Sequence, residues 1–578
     1  NNPTIYQYLM NLHQKIVLCL VCILGIFGTH AQEEDALDTE VVNVVKPYTP
    51  TVSDAFKVKE TPVLNDSVGT QKKEVTYEIF SVPVASTFTP AKGKAETLEK
   101  PKRMKLYDNY ATLGFGNYTT ILGELFSNFE ISRTDNAGFF FRHNSSFGDI
   151  DGTLVDNDYL DTELTGNYTS RQKDLSYGLN AGVQHQVFHW YGIPEGFAAL
   201  PATSLNELDV QQTYFGATLG GSLALEESVF ESATATLYYL GDAYASSEIQ
   251  AVLNAGFRFP LTDLEFIITG DLDVVSGGFE NGYLTNSSLD YGFLNAGVTP
   301  SLAYVNEDFS LTLGAQAVVS LDLQNSTTDF FIYPQINASY RLVDEILIVY
   351  GGAEGGLHQN TYRSQKEANP FVSPTLTLVP TSELYKGFAG LKGKLTQQVG
   401  YNLRGSYGKK ENNAFFLKNP EGAASLSAEG YEYGNSFGLV YDTVNTLHLF
   451  GELKVEVADN FRINAQASYF NYSLDSLAEA WNLPELEITL NSQVNITEQL
   501  YAGASLFFVG ERMDMARGQT TTLDSFLDVN VNVGYRFNER LSVFAKGSNL
   551  LGKNYERWLQ FPVQGIQGLL GATYKFDW

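Results

Sequence analysis

Beyond about Tyr107 the chain alternates apolar and polar residues in short runs separated by Gly, Asn and Asp. That period places successive side chains on opposite faces of a β-strand. In "LDVNVNVGYRF", Leu527, Val529, Val531, Val533, Tyr535 and Phe537 share one face, and Asp528, Asn530, Asn532 and Arg536 the other. The last run, "GLLGATYKFDW", keeps the alternation through Leu570, Ala572, Tyr574, Phe576 and Trp578. A soluble sandwich also alternates. The number of runs separates the two. There are 22 or 23 candidates between "NYATLGFGNYT" and "GLLGATYKF", and single-chain bacterial barrels favour the even number.

Connection lengths point the same way. Towards the C-terminus the tight turns "NITEQ" and "FNER" alternate with the long segments "SLDSLAEAWNLPE", "ERMDMARGQTTTLDS" and "LLGKNYERWLQFPVQG". Short periplasmic turns and long outer loops are the barrel habit. Upstream of about Gly430 the same rhythm is not readable. The expected fold is all-β: a large transmembrane antiparallel barrel of about 22 strands over residues 105–578, its outer face on lipid.

Two segments precede it. Lys15, the apolar run Ile16 to Phe27 and "GTHAQEE" read as a leader over residues 1–31, with residues 1–9 upstream of the start at Met10. Residues 32–104 hold Pro47, Pro50, Pro62, Pro83, Pro90 and Pro101, six of eighteen prolines. Such density favours extended or disordered chain, so this is read as a periplasmic or luminal arm. The arm ends in a basic cluster: Lys92, Lys94, Lys100, Lys102, Arg103 and Lys105.

The net charge of −29 argues against nucleic acid as a partner, since phosphates need clustered Lys and Arg. Both cysteines, Cys19 and Cys22, fall in the leader, so the rest can form no disulfide or thiolate site. His185 and His189 lie four apart, which in a strand separates them by about 13 Å, too far for one metal. Asp149, Asp151, Asp156 and Asp158 offer oxygen ligands suited to calcium, but without EF-hand spacing; a solvated acidic loop explains them equally. No nucleophile elbow, zinc-protease helix or phosphate loop is present. Neither an enzyme nor a cofactor is expected.

The segment "LSVFAKGSNLLGKNYERWLQFPVQGIQGLLGATYKF" resembles the end of TonB-dependent outer-membrane receptors. It carries Asn549, Leu550 and Tyr555 as Asn-Leu-x-x-x-x-Tyr, then Pro562 and Gly565, then Tyr574 and Phe576 in the last strand. "PVQG" stands where the family has Pro-Gly-Arg, and Asp577 and Trp578 extend the usual end. The resemblance implies that Tyr574, Phe576 and Trp578 address the barrel-assembly machinery. It also implies a TonB box at Asp38, Thr39, Glu40, Val41 and Val42, a string that a merely β-prone tail explains as well, in a chain that transports an unknown substrate. Residues 32–104 have neither the length nor the Arg-Gly and Asp-Gly motifs of the family's plug. A barrel this wide needs something in its lumen: the arm, inward-folded loops or another protein. Long segments such as His358 to Lys386, and the aromatics Trp190, Tyr191 and Phe197, are expected at the outer mouth as substrate contacts. The alternative is a scaffold barrel whose arm docks a periplasmic partner.

Overall fold

The computed structural model describes residues 105–577, except residue 206 and residues 423–427. The TonB-box-like string at Asp38–Val42, the arm and Trp578 lie outside the described residues. Twenty-two strands form a single antiparallel sheet, beginning at Asn109–Gly116 and ending at Gln567–Phe576. These two strands pair with each other from Asn109↔Phe576 to Gly116↔Leu569, which closes the barrel. On the inner side of that seam the Thr112 and Thr573 hydroxyls lie 2.9 Å apart. Closure leaves no unpaired strand edge, the condition for crossing hydrocarbon with strands. No described helix is long and apolar enough to cross a membrane.

The alternation in the sequence becomes two faces. Leu113 and Phe115 point outward and are more than 60% exposed, while Thr112, next to Leu113, is buried within the wall. Tyr239 pairs with Ile249 and Leu237 with Ala251, extending the apolar outer surface from strand to strand. Such a continuous exposed apolar belt is stable against lipid and a liability in water. Inward residues instead satisfy one another. Gln184 donates to Asp161 at 3.0 Å, Gln250 to Asp273 at 2.9 Å, and Gln316 to Asp271 at 3.1 Å.

The long connections all lie at one end of the barrel, although residues 117–119, 243–246 and 323–326 make short turns at that end too. Residues 131–134, 172–174, 262–263, 397–398 and 459–460 are tight turns at the opposite end. Residues 190–210, 359–380, 419–436, 510–525 and 549–566 are long connections. Two small hairpins outside the barrel sheet, Arg512–Ala516 with Gln519–Leu523 and Glu556–Trp558 with Phe561–Pro562, are built from the last two of these.

Candidate functional site at the long-connection end

The long connections fold onto each other and bury a cluster of large aromatic side chains. Phe371 and Phe561 stack with ring centroids 3.9 Å apart. Tyr191 meets both rings edge-on, at 5.4 and 4.9 Å. Trp558 packs against Phe416 and Phe437, each at 5.3 Å. Alongside, Trp190 contacts Tyr244 at 5.4 Å and Tyr431 at 5.5 Å, and Phe197 contacts Tyr433 at 5.6 Å. Edge-to-face and offset contacts of this kind add to the gain from burial.

Polar groups lock the connections in register. Trp190 Nε1 donates to the Val372 carbonyl at 3.3 Å, and Asn435 Nδ2 donates to the Trp190 carbonyl at 2.7 Å. Tyr191 donates its hydroxyl to the Pro562 carbonyl at 3.0 Å. Asp514 accepts from the Lys418 backbone at 3.1 Å and from Asn482 at 2.9 Å. Arg512 donates to the Glu556 carbonyl at 2.8 Å and to the Arg557 carbonyl. Burial, and secondarily the charge of Arg557, lowers the Arg512 guanidinium to about 10, so it remains charged at neutral pH. Burial likewise raises the Asp514 carboxyl.

Residues 359–380 reach the inner wall. They contain the helix Tyr362–Ala368, started by a reciprocal cap between Thr361 and Ser364. Its first backbone N–H groups meet the inner wall: Tyr362 N and Arg363 N donate to the Glu248 carboxylate at 2.6 and 3.0 Å. Tyr291 donates to the same carboxylate at 2.6 Å. The Tyr362 hydroxyl donates to Asp242 at 2.7 Å, and Lys366 reaches Gln186.

No protein-family model matches the chain, and no curated protein matches it in sequence. Solved structures do match in shape. The siderophore receptor PirA of Acinetobacter baumannii is 12% identical, with 82% of this chain and 81% of that one covered and a TM-score of 0.60. The FrpB iron transporter of Neisseria meningitidis is 9% identical over 82% of each chain, with a TM-score of 0.62. The ferripyoverdine receptor of the Pseudomonas aeruginosa outer membrane is 13% identical, covering 81% and 72%, with a TM-score of 0.59. The fold is the barrel of the TonB-dependent receptors.

Within that receptor-type barrel the C-terminal motif residues have clear positions. Asn549 is buried and its amide donates to the carbonyls of Lys553 and Gln564, both at 2.9 Å, pinching the 549–566 connection. Tyr555 stacks on Phe526 at 4.0 Å and donates to Asp528 at 3.0 Å. Tyr574 and Leu570 stand exposed on the outer face.

The expected mouth aromatics are placed differently from a ligand surface. Trp190 is 1% exposed and Phe197 6%, so their rings pack the interlocked connections; Tyr191 is half-buried against Phe371 and Phe561. The sequence showed the aromatics but not the partner rings in distant connections that cover them. In the acidic loop burial raises the Asp158 carboxyl, His189 opposes this, and Asp156 and Asp149 add to it. Among the described residues no three His, Cys, Asp or Glu side chains gather to hold a metal. His185 stacks on Phe215 at 4.8 Å, and a His189 ring nitrogen lies 2.8 Å from the Asp158 carbonyl. Sequence reasoning missed Glu248. Its signal was an acid on the inward face at the start of strand Ser247–Leu261.

Proposed function

We propose that this chain is an outer-membrane barrel for uptake, its long-connection end facing the outside and its tight turns facing the periplasm. The observation that carries the reading is the closed 22-strand receptor-type barrel with every long connection gathered at one end. The apolar outer face supports lipid as its surroundings, and the barrel-assembly machinery as the partner during insertion, through Tyr574, Phe576 and Trp578. Structural neighbours named for siderophores and iron support a small chelated substrate. Fold likeness is a weak warrant for function, so the test must read uptake itself. Energy would enter through Asp38, Thr39, Glu40, Val41 and Val42, offered to TonB.

The test compares cells carrying the intact chain, cells lacking it and cells with residues 38–45 deleted, for accumulation of labelled iron and copper chelates. Loss of accumulation in both altered strains is expected. Equal accumulation in all three would remove the uptake reading. The scaffold reading, with the arm docking a periplasmic protein, draws on one observation: Trp190 and Phe197 have no free face for a ligand. A stoichiometric partner recovered with the detergent-extracted protein, together with unchanged accumulation, would establish it instead.

A further inference from the structure

We propose that residues 361–378 are the barrel's own plug: a lid seated inside the mouth, latched to the inner wall at Glu248, whose release opens the lumen. The inference rests on the uptake reading only in supposing that a path through the lumen is used.

The segment has the construction of a lid. Its neck is clasped, because Asn360 Nδ2 donates to the Val379 carbonyl at 2.8 Å and to Thr381 Oγ1 at 2.9 Å. The flanking strands are already paired at His358↔Thr381. Everything between can therefore move as one lobe without unzipping the wall.

The lobe crosses the mouth. On one side the helix Tyr362–Ala368 lies against inward residues of five strands. Arg363 donates to Gln250 at 3.1 Å and sits 4.1 Å from the Tyr238 ring centre. Gln250 and Tyr238 are register partners three and four residues in from the long-connection ends of their strands. At about 3.3 Å per residue this sets the Arg363 guanidinium roughly 10 Å in along the strands from their ends, while the helix N-terminus meets Glu248, one residue in from the end of its strand. On the other side Ser373 N donates to the Phe437 carbonyl at 2.9 Å, and Phe437 N to the Phe371 carbonyl at 3.0 Å. Strand Phe437–Ala458 is in another sector of the wall, so the segment spans the opening.

The two attachments differ in kind. The far side joins neutral backbone hydrogen bonds to apolar burial, with Val372 and Phe437 fully buried. The near side is a polar latch: from the helix, Glu248 receives two backbone donors and Asp242 a third from the Tyr362 hydroxyl, while Tyr291 of the wall also donates to Glu248. Were the helix withdrawn, Glu248 and Asp242 would face a water-filled lumen, where a carboxylate is readily solvated. The wall keeps its own strand pairing throughout. A latch of charge-assisted hydrogen bonds is strong when dry and cheap to exchange for water, which suits a part that must release.

The test is planar-bilayer conductance of the full-length protein. Four forms are compared: unaltered, Glu248→Gln, residues 361–378 replaced by a short Gly-Ser link, and Gln186→Cys with Lys366→Cys joined by a short thiol crosslinker. The only native cysteines, Cys19 and Cys22, precede the barrel strands in the sequence. The unaltered protein should be closed most of the time, Glu248→Gln should raise open probability by about tenfold, and the replacement should stay open. The crosslinked form should stay closed and open on cleavage of the linker. Unaltered protein conducting as freely as the replacement overturns the lid while leaving uptake standing. Glu248→Gln indistinguishable from unaltered protein overturns the latch even if the replacement fails to fold. A folded replacement that remains closed overturns the plug, whatever cells accumulate.

Discussion

Phe371 and Phe561 stack at 3.9 Å with their planes 24° apart, although they come from connections on opposite sides of strand Phe437–Ala458 in the chain. Tyr191 closes the edge of both rings, and Phe437 lies 5.8 Å from Phe561. The contact is one of those that hold the inward segment 359–380 to the rest of the mouth. Phe561→Ala removes a fully buried ring at that junction, a change that costs about 3–5 kcal/mol in well-packed cores. The barrel wall is untouched, so the expected result is a local loosening. Trypsin should cut the folded variant at Arg363 and Lys366 far faster than the unaltered protein, with heat-modifiable gel mobility unchanged. Equal cleavage rates would show that the ring does not hold the segment.

Gly192 supports the same stack from below. A Cβ placed there would collide with the Phe561 ring. Gly192→Ala should overpack the site and cost about 1–3 kcal/mol. Because both changes act on one contact, they should not add. Combining Gly192→Ala with Phe561→Leu, which frees the ring's space, should recover part of the protection from trypsin lost in Gly192→Ala alone. Strict additivity in that cycle would refute the contact.

Asn549 makes a different kind of junction. Its amide satisfies two backbone carbonyls of its own connection, and its φ of 47° is one that Asn tolerates better than most residues. Asn549→Ala leaves both carbonyls without that donor, and Asn549→Asp sets a carboxylate against them. Each buried group left unpaired costs about 1–3 kcal/mol. The folded fraction in detergent refolding should fall in the order Asn, Ala, Asp. Recovery of unaltered refolding with Asp would contradict the assignment.

Much of the wall was legible and little of the mouth was. Alternation fixes which face each strand residue takes, so Leu527 to Phe537, and the closing strand through Tyr574, read correctly from local pattern alone. Connection lengths after Gly430 gave the two ends. Upstream the rhythm was hidden because several outward positions are small, as at Ala217, Gly221 and Ala251, so alternation of size replaces alternation of polarity. The mouth depends on contacts across the barrel. Nothing near Trp190 marks Val372 or Tyr431 as neighbours, and nothing near Glu248 marks the backbone of Tyr362. The inward-folded loops were one of three fillings the sequence left open, and no local signal chose among them.

The two-faced wall itself admits a sharp test. Leu253 and Asn254 are adjacent in the middle of strand Ser247–Leu261, and they take opposite faces. Leu253 is 44% exposed on the apolar outside. Asn254 points inward, its amide 3.5 Å from the Thr234 hydroxyl. If the outside meets lipid, a guanidinium at Leu253 must be buried in hydrocarbon, at a cost of about 2–4 kcal/mol near the midplane. At Asn254 the same group would sit in a polar lumen among acids such as Asp271, its neighbour across the strand pair. Leu253→Arg should therefore reduce assembly into phospholipid vesicles, measured as the heat-modifiable fraction, while Asn254→Arg assembles normally. In detergent micelles, which deform around a charge, the difference should shrink. Equal assembly of both variants in vesicles would mean that the outer face is not in lipid, and the membrane reading of the whole barrel would fail with it.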